Sequence, residues 1–370
     1  MTLIAHIADV HLGYAQYGLE EREEDIYQAF DEAIEMILKE HVRVFLIAGD
    51  LFDSPKPPIK ALMKAREELE RLRKRRVEIF HVLGDHEIPR RLNDLPPTAI
   101  LSGISKHVGL KKAKTEDGEI AIVGLDRTPP SLIKNSLSEL KRISAEISEG
   151  KRILIAHIPA HRPEKGFELL PLGYTYYALG HEHERKILVK GGSPAAYSGS
   201  IEILSISEIE SWEKDGKGFF IIDLSKSEPI LHKVNLTSIR PQKIFDIRAG
   251  ELERVLEEAI RWSAHQSKRP IIHFRIRGRK LDRPFIARRI QEKLSGKVLY
   301  YRHEILEEER EVRFEKPQKL DIKSMIREYM SAKGFNDEEI ELALAIYESF
   351  ISGGSDAMQQ LIMSRVEGRG

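Results

Sequence analysis

The chain has 370 residues, more than one ordinary domain holds, and 41% are hydrophobic, which excludes wholesale disorder. It contains no cysteine, so disulfide scaffolds, cysteine-ligated zinc, iron–sulfur clusters and thiol catalysis are excluded. Lys and Arg total 59 against 59 Asp and Glu, so any nucleic-acid contact must come from local patches rather than overall basicity. Apolar runs ending in polar clusters recur along the first 225 residues: LIAHIAD, VRVFLIAGD, VEIFHVLGD, EIAIVGLD, RILIAHI, YYALGH and KGFFIIDLS. Runs this rich in Ile, Val and Leu predict buried strands. Between them, EREEDIYQAFDEAIEMILKEH carries Ile26, Phe30, Ala33, Ile34 and Ile37 at helical spacing, and IKALMKAREELERLRKRR carries Leu62, Ala65 and Leu69. Alternating strands and helices predict a layered α/β domain over residues 1–238.

A second, small α+β unit is expected over 239–315. It comprises a helix from Glu251 to Ala264, the strand IIHFRIRG and a helix from Phe285 to Leu294. Residues 316–370 read as a linker, Lys316-Pro317-Gln318, and three short amphipathic helices. Asp321, Asp337 and Asp356 open them, and Gly334 and Gly353-Gly354 end the first two. No apolar run reaches membrane-spanning length and the first residues form no signal peptide, so a cytoplasmic protein is expected.

Five polar clusters follow predicted strands: Asp9-Val10-His11, Gly49-Asp50-Leu51-Phe52-Asp53, Gly84-Asp85-His86-Glu87, His157 and Gly180-His181-Glu182-His183. Strand ends are where α/β folds gather side chains from several loops into one site. The clusters offer carboxylate oxygen and imidazole nitrogen without sulfur, a donor set suited to manganese, iron or zinc. Two cations roughly 3.5–4 Å apart need a ligand shared between them to offset their repulsion. The glycines before Asp50, Asp85 and His181 are expected to let the chain turn sharply where each strand ends.

The ordered set D-x-H, G-D-x-x-D, G-D-H-E, H and G-H-x-H resembles the calcineurin-like metallophosphoesterases, whose third motif has Asn where this chain has Asp85. Longer matches resemble the archaeal Mre/SbcD-type DNA double-strand-break repair nucleases. They include His11-Leu12-Gly13-Tyr14, Arg22-Glu23-x-Asp25-Ile26-Tyr27 and Gly84 through Arg91. Tyr176 through His181, Ala196 through Ser200 and Gly216 through Phe219 match as well.

The resemblance implies a calcineurin-like metallophosphoesterase β-sandwich flanked by helices, with a capping domain and a C-terminal helical partner-binding segment. It implies two Mn²⁺ per subunit. Asp9, His11, Asp50 and His183 would hold one, and Asp50, Asp85, His157 and His181 the other, with Asp50 as the bridge. His86 matches the family's catalytic histidine, and Asp53 is a supporting residue. Arg90 and Arg91 are candidate phosphate contacts on DNA. The resemblance further implies 3′-to-5′ exonuclease action on duplex DNA and endonuclease action on single strands. Partners would be a second copy of the chain and an SMC-like coiled-coil ATPase gripped by the C-terminal helices, all acting at the nucleoid. The helix of Leu62 and the segment of Ile100, Leu101 and Ile104 are the expected dimer surface. Two rivals stand beside this reading: a DNA-tethering subunit whose site is attenuated by Asp85, and a metallophosphoesterase for nucleotides or phosphoproteins.

Overall fold

The computed structural model describes residues 3–89, 91, 94–116, 118–147, 150–160, 166–226, 228–279, 281–307 and 321–367. Its contacts divide the chain into two compact units, residues 1–308 and 309–370.

The first unit is built on two six-stranded sheets. One runs Ile230–Asn235, Gly218–Asp223, Leu3–Ile7, Val44–Ala48, Glu78–Val82 and Lys106–His107 in spatial order. The other runs Lys112–Lys114, Ile120–Leu125, Lys151–His157, Tyr176–Gly180, Ser193–Tyr197 and Lys186–Lys190. Successive side chains on a strand face opposite ways. Accordingly, Ile4, Val44, Leu46 and Phe80 of the first sheet share a core with Ile122, Ile153, Ile155 and Tyr176 of the second. The alternate residues Ala5, Ile7, Phe45 and Ile47 face outward against helices Glu20–Lys39 and Ile59–Lys74. On the far side, Leu154, Ala156, Tyr177 and Leu179 pack with helix Ile133–Ala145. The result is a four-layer sandwich of helices, sheet, sheet and helix. Strands Leu3–Ile7, Val44–Ala48 and Glu78–Val82 are mutually parallel, as are Lys151–His157 and Tyr176–Gly180, so their C-terminal ends share an edge within each sheet.

The expected second unit has more sheet than its sequence suggested. Gln242–Arg248 and Tyr300–Glu307 flank Ile271–Gly278 in parallel, and helices Leu252–Ala264 and Arg283–Leu294 pack on Phe245, Ile272, Phe274 and Ile276. It belongs to the same contact unit as the sandwich. A buried polar knot joins the two. Arg22 and Glu202 are fully buried and 3.2 Å apart. Asp25 accepts from Arg22 at 2.6 Å, from Lys268 at 2.9 Å and from Arg240 Nε and Nη2. Removing one member would strand a buried charge, which costs about 3–5 kcal/mol, so the arrangement fixes how the parts meet.

In the second contact unit, Asp321 caps helix Ile322–Ala332 by accepting from Lys323 N and Ser324 N. The next helical stretch, Asp337–Glu367, is broken at Gly354, whose φ of 69° lies in the left-handed region, so the expected three helices are present. Among the described residues, Ile340 and Leu344 are the only buried apolar ones here, while Met325, Tyr329, Phe350 and Ile351 are exposed. The linker Lys316–Gln318 lies outside the described residues.

The expected dimer surface needs correction. Leu101 and Ile104 are buried, and Leu62 packs against the same core, because that side of the helix and its neighbour covers the sheet. The exposed apolar residues there are Ile59, Met63 and Ile100.

Candidate metal centre

The left-handed backbone region is costly for residues with a Cβ and persists where surrounding structure demands it. Eight such residues occur among those described, and four are Asp9, His11, Asp50 and His181, with φ between 50° and 101°. Backbone bonds pin these loops together: Asp9 N to Gly49 O at 3.1 Å, His11 N to Asp50 O at 3.0 Å and Leu12 N to Leu51 O at 2.9 Å. The three glycines act in two ways. Gly49 turns the chain with φ +87°, as expected, and a Cβ there would also lie 2.4 Å from His157 Nδ1. Gly84 and Gly180 lack a positive φ. They are needed because a Cβ would meet Asp50 Oδ1 at 2.1 Å or Ala48 O at 2.0 Å.

Seven predicted donors converge where these strands end. Asp9, His11 and His183 bring one donor atom each to within 4.8 Å of one another, and Asp85, His157 and His181 do the same. Asp50 joins the halves: its Oδ2 lies 4.0 Å from His11 Nε2 and 3.3 Å from His157 Nε2. Its Oδ1 accepts from His86 N at 2.8 Å, and Asp9 accepts from His181 N at 3.1 Å. Each carboxylate is therefore oriented by the backbone of a different loop.

The imidazoles are also fixed. His157 Nδ1 lies 2.9 Å from Ala48 O, and since a carbonyl only accepts, Nδ1 carries the proton and Nε2 offers its lone pair. His11 Nδ1 is held by Asp53 Oδ1 at 3.0 Å, and His183 Nδ1 by Glu208 Oε1 at 3.0 Å. His11 Nε2 and His157 Nε2 are buried without a hydrogen-bond partner. Buried polar atoms are normally satisfied, and orphaned imidazole nitrogens facing carboxylates fit a cation. The electrostatics agree. Burial opposes charge on His157, yet Asp50, with help from Asp85 and Asp9, drives its pKa well above the ordinary histidine range, so the pocket draws positive charge to Nε2, where a cation would take the place of that proton. Burial likewise opposes ionisation of Asp85, but His157, His181 and Arg127 hold its pKa far below the usual carboxylate range. The donor set thus fits divalent cations.

His86 sits at the solvent side, edge-on to His11 with ring centroids 4.6 Å apart. Its Nδ1 donates to Asp53 O at 2.9 Å, which leaves Nε2 able to take and give a proton. Asp53 therefore orients His11 and His86 together. Arg91 is exposed, and Arg90 lies outside the described residues.

Sequence reasoning missed three contributors. Glu87 is fully buried and accepts from Phe52 N at 3.0 Å and Gly84 N at 3.1 Å, tying two ligand loops together. Burial first, then the Asp50 charge, pushes its pKa up to about 8 against those two N–H donors. Glu208 holds His183 and also accepts from Lys217 and from Ser200 Oγ at 2.9 Å. Arg127 pairs with Asp85. Glu87 was visible within its motif. Glu208 and Arg127 lie in no motif, and only the fold brings them to the site. The basic run Arg71–Arg76 closes helix Ile59–Lys74, with Arg71 bridging Glu35 and Glu68.

Residues 2–185 match the family model described as calcineurin-like phosphoesterase. The DNA double-strand break repair protein Mre11 of Saccharolobus solfataricus is 31% identical over all of this chain and 99% of its own length. That of Sulfurisphaera tokodaii is 32% identical over 93% of this chain and 92% of its own. The Mre11 of Methanocaldococcus jannaschii is 30% identical over 95% of each. With resemblance of this extent on top of the five motifs and their convergence, the chain belongs to the Mre11 family of calcineurin-like phosphoesterases.

Proposed function

We propose that the protein is a manganese-dependent DNA nuclease of double-strand-break repair, degrading duplex DNA 3′ to 5′ and cutting single strands internally. The convergence of seven oxygen and nitrogen donors around a shared Asp50 carries this reading. Asp9, His11, Asp50 and His183 would hold one Mn²⁺ and Asp50, Asp85, His157 and His181 the second. The pair would supply Lewis acidity and counter-charge to a phosphodiester. Asp53 and Glu208 orient the ligating histidines, and Ala48 O fixes the His157 tautomer. His86, held through Nδ1, presents Nε2 to a leaving oxygen as proton donor. Arg90 and Arg91 lie next in sequence to this loop and suit phosphate contacts. Residues 239–315 act as the DNA-presenting cap. The exposed apolar residues of 321–367 support docking to an SMC-like ATPase coiled coil. Ile59, Met63 and Ile100 support a homodimer at the nucleoid.

The test is degradation of an end-labelled duplex with and without Mn²⁺. A 3′-to-5′ ladder that chelation abolishes supports the proposal. DNA binding without cleavage would favour the tethering subunit, and hydrolysis confined to small phosphomonoesters would favour the phosphatase.

A further inference from the structure

The family pattern places a neutral amide where this chain has Asp85, so the site gains a negative charge beside its second cation. Substituting a carboxylate for an amide has two local consequences. It adds one unit of charge, and it turns the amide nitrogen, a donor, into an oxygen that needs one. The structure answers both. Asp85 Oδ2 points between His181 Nδ1 at 2.8 Å and His157 Nε2 at 3.3 Å, the direction a ligating oxygen must face. Its other oxygen, Oδ1, accepts from Arg127 Nε.

Arg127 is itself held. Its N donates to Leu83 O at 2.8 Å, on the strand end that leads into Asp85, and its Nη1 donates to Thr128 O. The Arg127 side chain is about three-quarters buried and borders a cleft of about 180 Å³ shared with Asp126, His157 and His181. An exposed ion pair would mean little, but this one is partly buried and directed by backbone contacts at both ends.

We propose that Arg127 is a positioning and charge-balancing residue for the second cation. Together Asp85 and Arg127 act as a neutral unit with one oxygen turned to the metal, doing the work of the family amide. This inference rests on the two-cation reading above. The site then keeps the net charge that an amide at this position would give it, and Asp85 does not attenuate it. Arg127 also limits how far Asp85 can rotate, because Oδ1 is occupied.

The test is Mn²⁺ titration of metal-depleted protein, followed by paramagnetic resonance of free ion, on wild type, Arg127→Met, Arg127→Lys, Asp85→Asn and the double variant Asp85→Asn/Arg127→Met. A unit charge beside a divalent cation in a partly solvated site is worth on the order of tenfold in affinity. Arg127→Met should therefore bind the second ion about tenfold more tightly, since Asp85 loses its counter-charge. Asp85→Asn should bind it at least about tenfold more weakly, since a bare guanidinium now faces the cation. The double variant should return close to wild type, and Arg127→Lys should stay close to it. A merely structural arginine would give additive losses and no such return. Unchanged or weaker second-ion binding in Arg127→Met, with the fold intact by circular dichroism, overturns the proposal. So does a double variant no better than Asp85→Asn. Wild type that takes up no Mn²⁺ refutes the two-cation reading itself, and this inference with it.

Discussion

Glu208 is the residue outside the five motifs on which the His183 side of the centre depends most. The perturbation is Glu208→Ala. Its carboxylate and the Lys217 ammonium are each only 3% exposed, and Lys217 is left with His183 O at 2.9 Å and Ser200 Oγ at 2.7 Å. Stranding a buried charge costs about 3–5 kcal/mol, and for a unit of this size that lowers the melting temperature by roughly 5–10 °C. His183 Nδ1 loses its only hydrogen-bond acceptor described, at 3.0 Å, so the ring is free to turn. Loss of such an outer partner weakens metal affinity about 10–100-fold. Glu208→Gln keeps an oxygen for His183 but discards the charge Lys217 needs, so it should retain metal better than it retains stability. Thermal melting and Mn²⁺ titration of both variants separate the two effects. A Glu208→Ala variant that melts with wild type and binds Mn²⁺ equally well would refute this role of Glu208.

His86→Ala should keep both cations and DNA binding while losing about 10²–10⁴-fold in cleavage rate, the range for one general acid; metal lost along with activity would make His86 a ligand instead. Met63→Asp, at a residue 65% exposed, should give monomers by sedimentation with unchanged melting, and a variant that stays dimeric puts the interface elsewhere. Burial lowers the pKa of His6 and His81 from 6.5 to about 3 and that of His273 to about 4. Below pH 6.5 the unfolded chain binds these protons and the folded chain does not, so stability is complete above 6.5 and falls as the pH drops. His157 and His183, with raised values, lose their contribution only on the alkaline side. Urea unfolding of metal-depleted His6→Gln between pH 6.5 and 4.5 should therefore show a slope reduced by about 1 kcal/mol per pH unit, and an unchanged slope would mean His6 titrates normally in the fold.

The central strands and the two long helices of the sandwich were legible because burial on both faces leaves unbroken apolar runs and one buried helix face leaves a 3.6-residue period. Ile26, Phe30, Ala33, Ile34 and Ile37 are all buried as that period requires. Less visible were strands with one wet face. Lys186–Lys190 alternates half-buried and exposed, yet the Gly191-Gly192 pair after it, both at positive φ, was a readable hairpin signal. Helix Ile133–Ala145 also had a readable period, in Ile133, Leu137, Leu140 and Ile143. The seven donors were legible because their chemistry is concentrated in short motifs after strands. The partners that orient them were not. Glu208 lies 25 residues from His183 and Arg127 lies 42 from Asp85, and no local pattern carries contacts across such separations. Leu62, Leu101 and Ile104 were read as outward-facing because apolarity alone does not say which side of a helix faces the sheet.

The most direct measurement is the magnetic resonance spectrum of Mn²⁺ bound to wild type and to Asp50→Ala. Two ions sharing one carboxylate should give a spin-coupled pair at two per chain in wild type, and Asp50→Ala should lose the coupled signal. A single uncoupled ion in wild type, or a coupled pair that survives in Asp50→Ala, would contradict the shared-ligand centre.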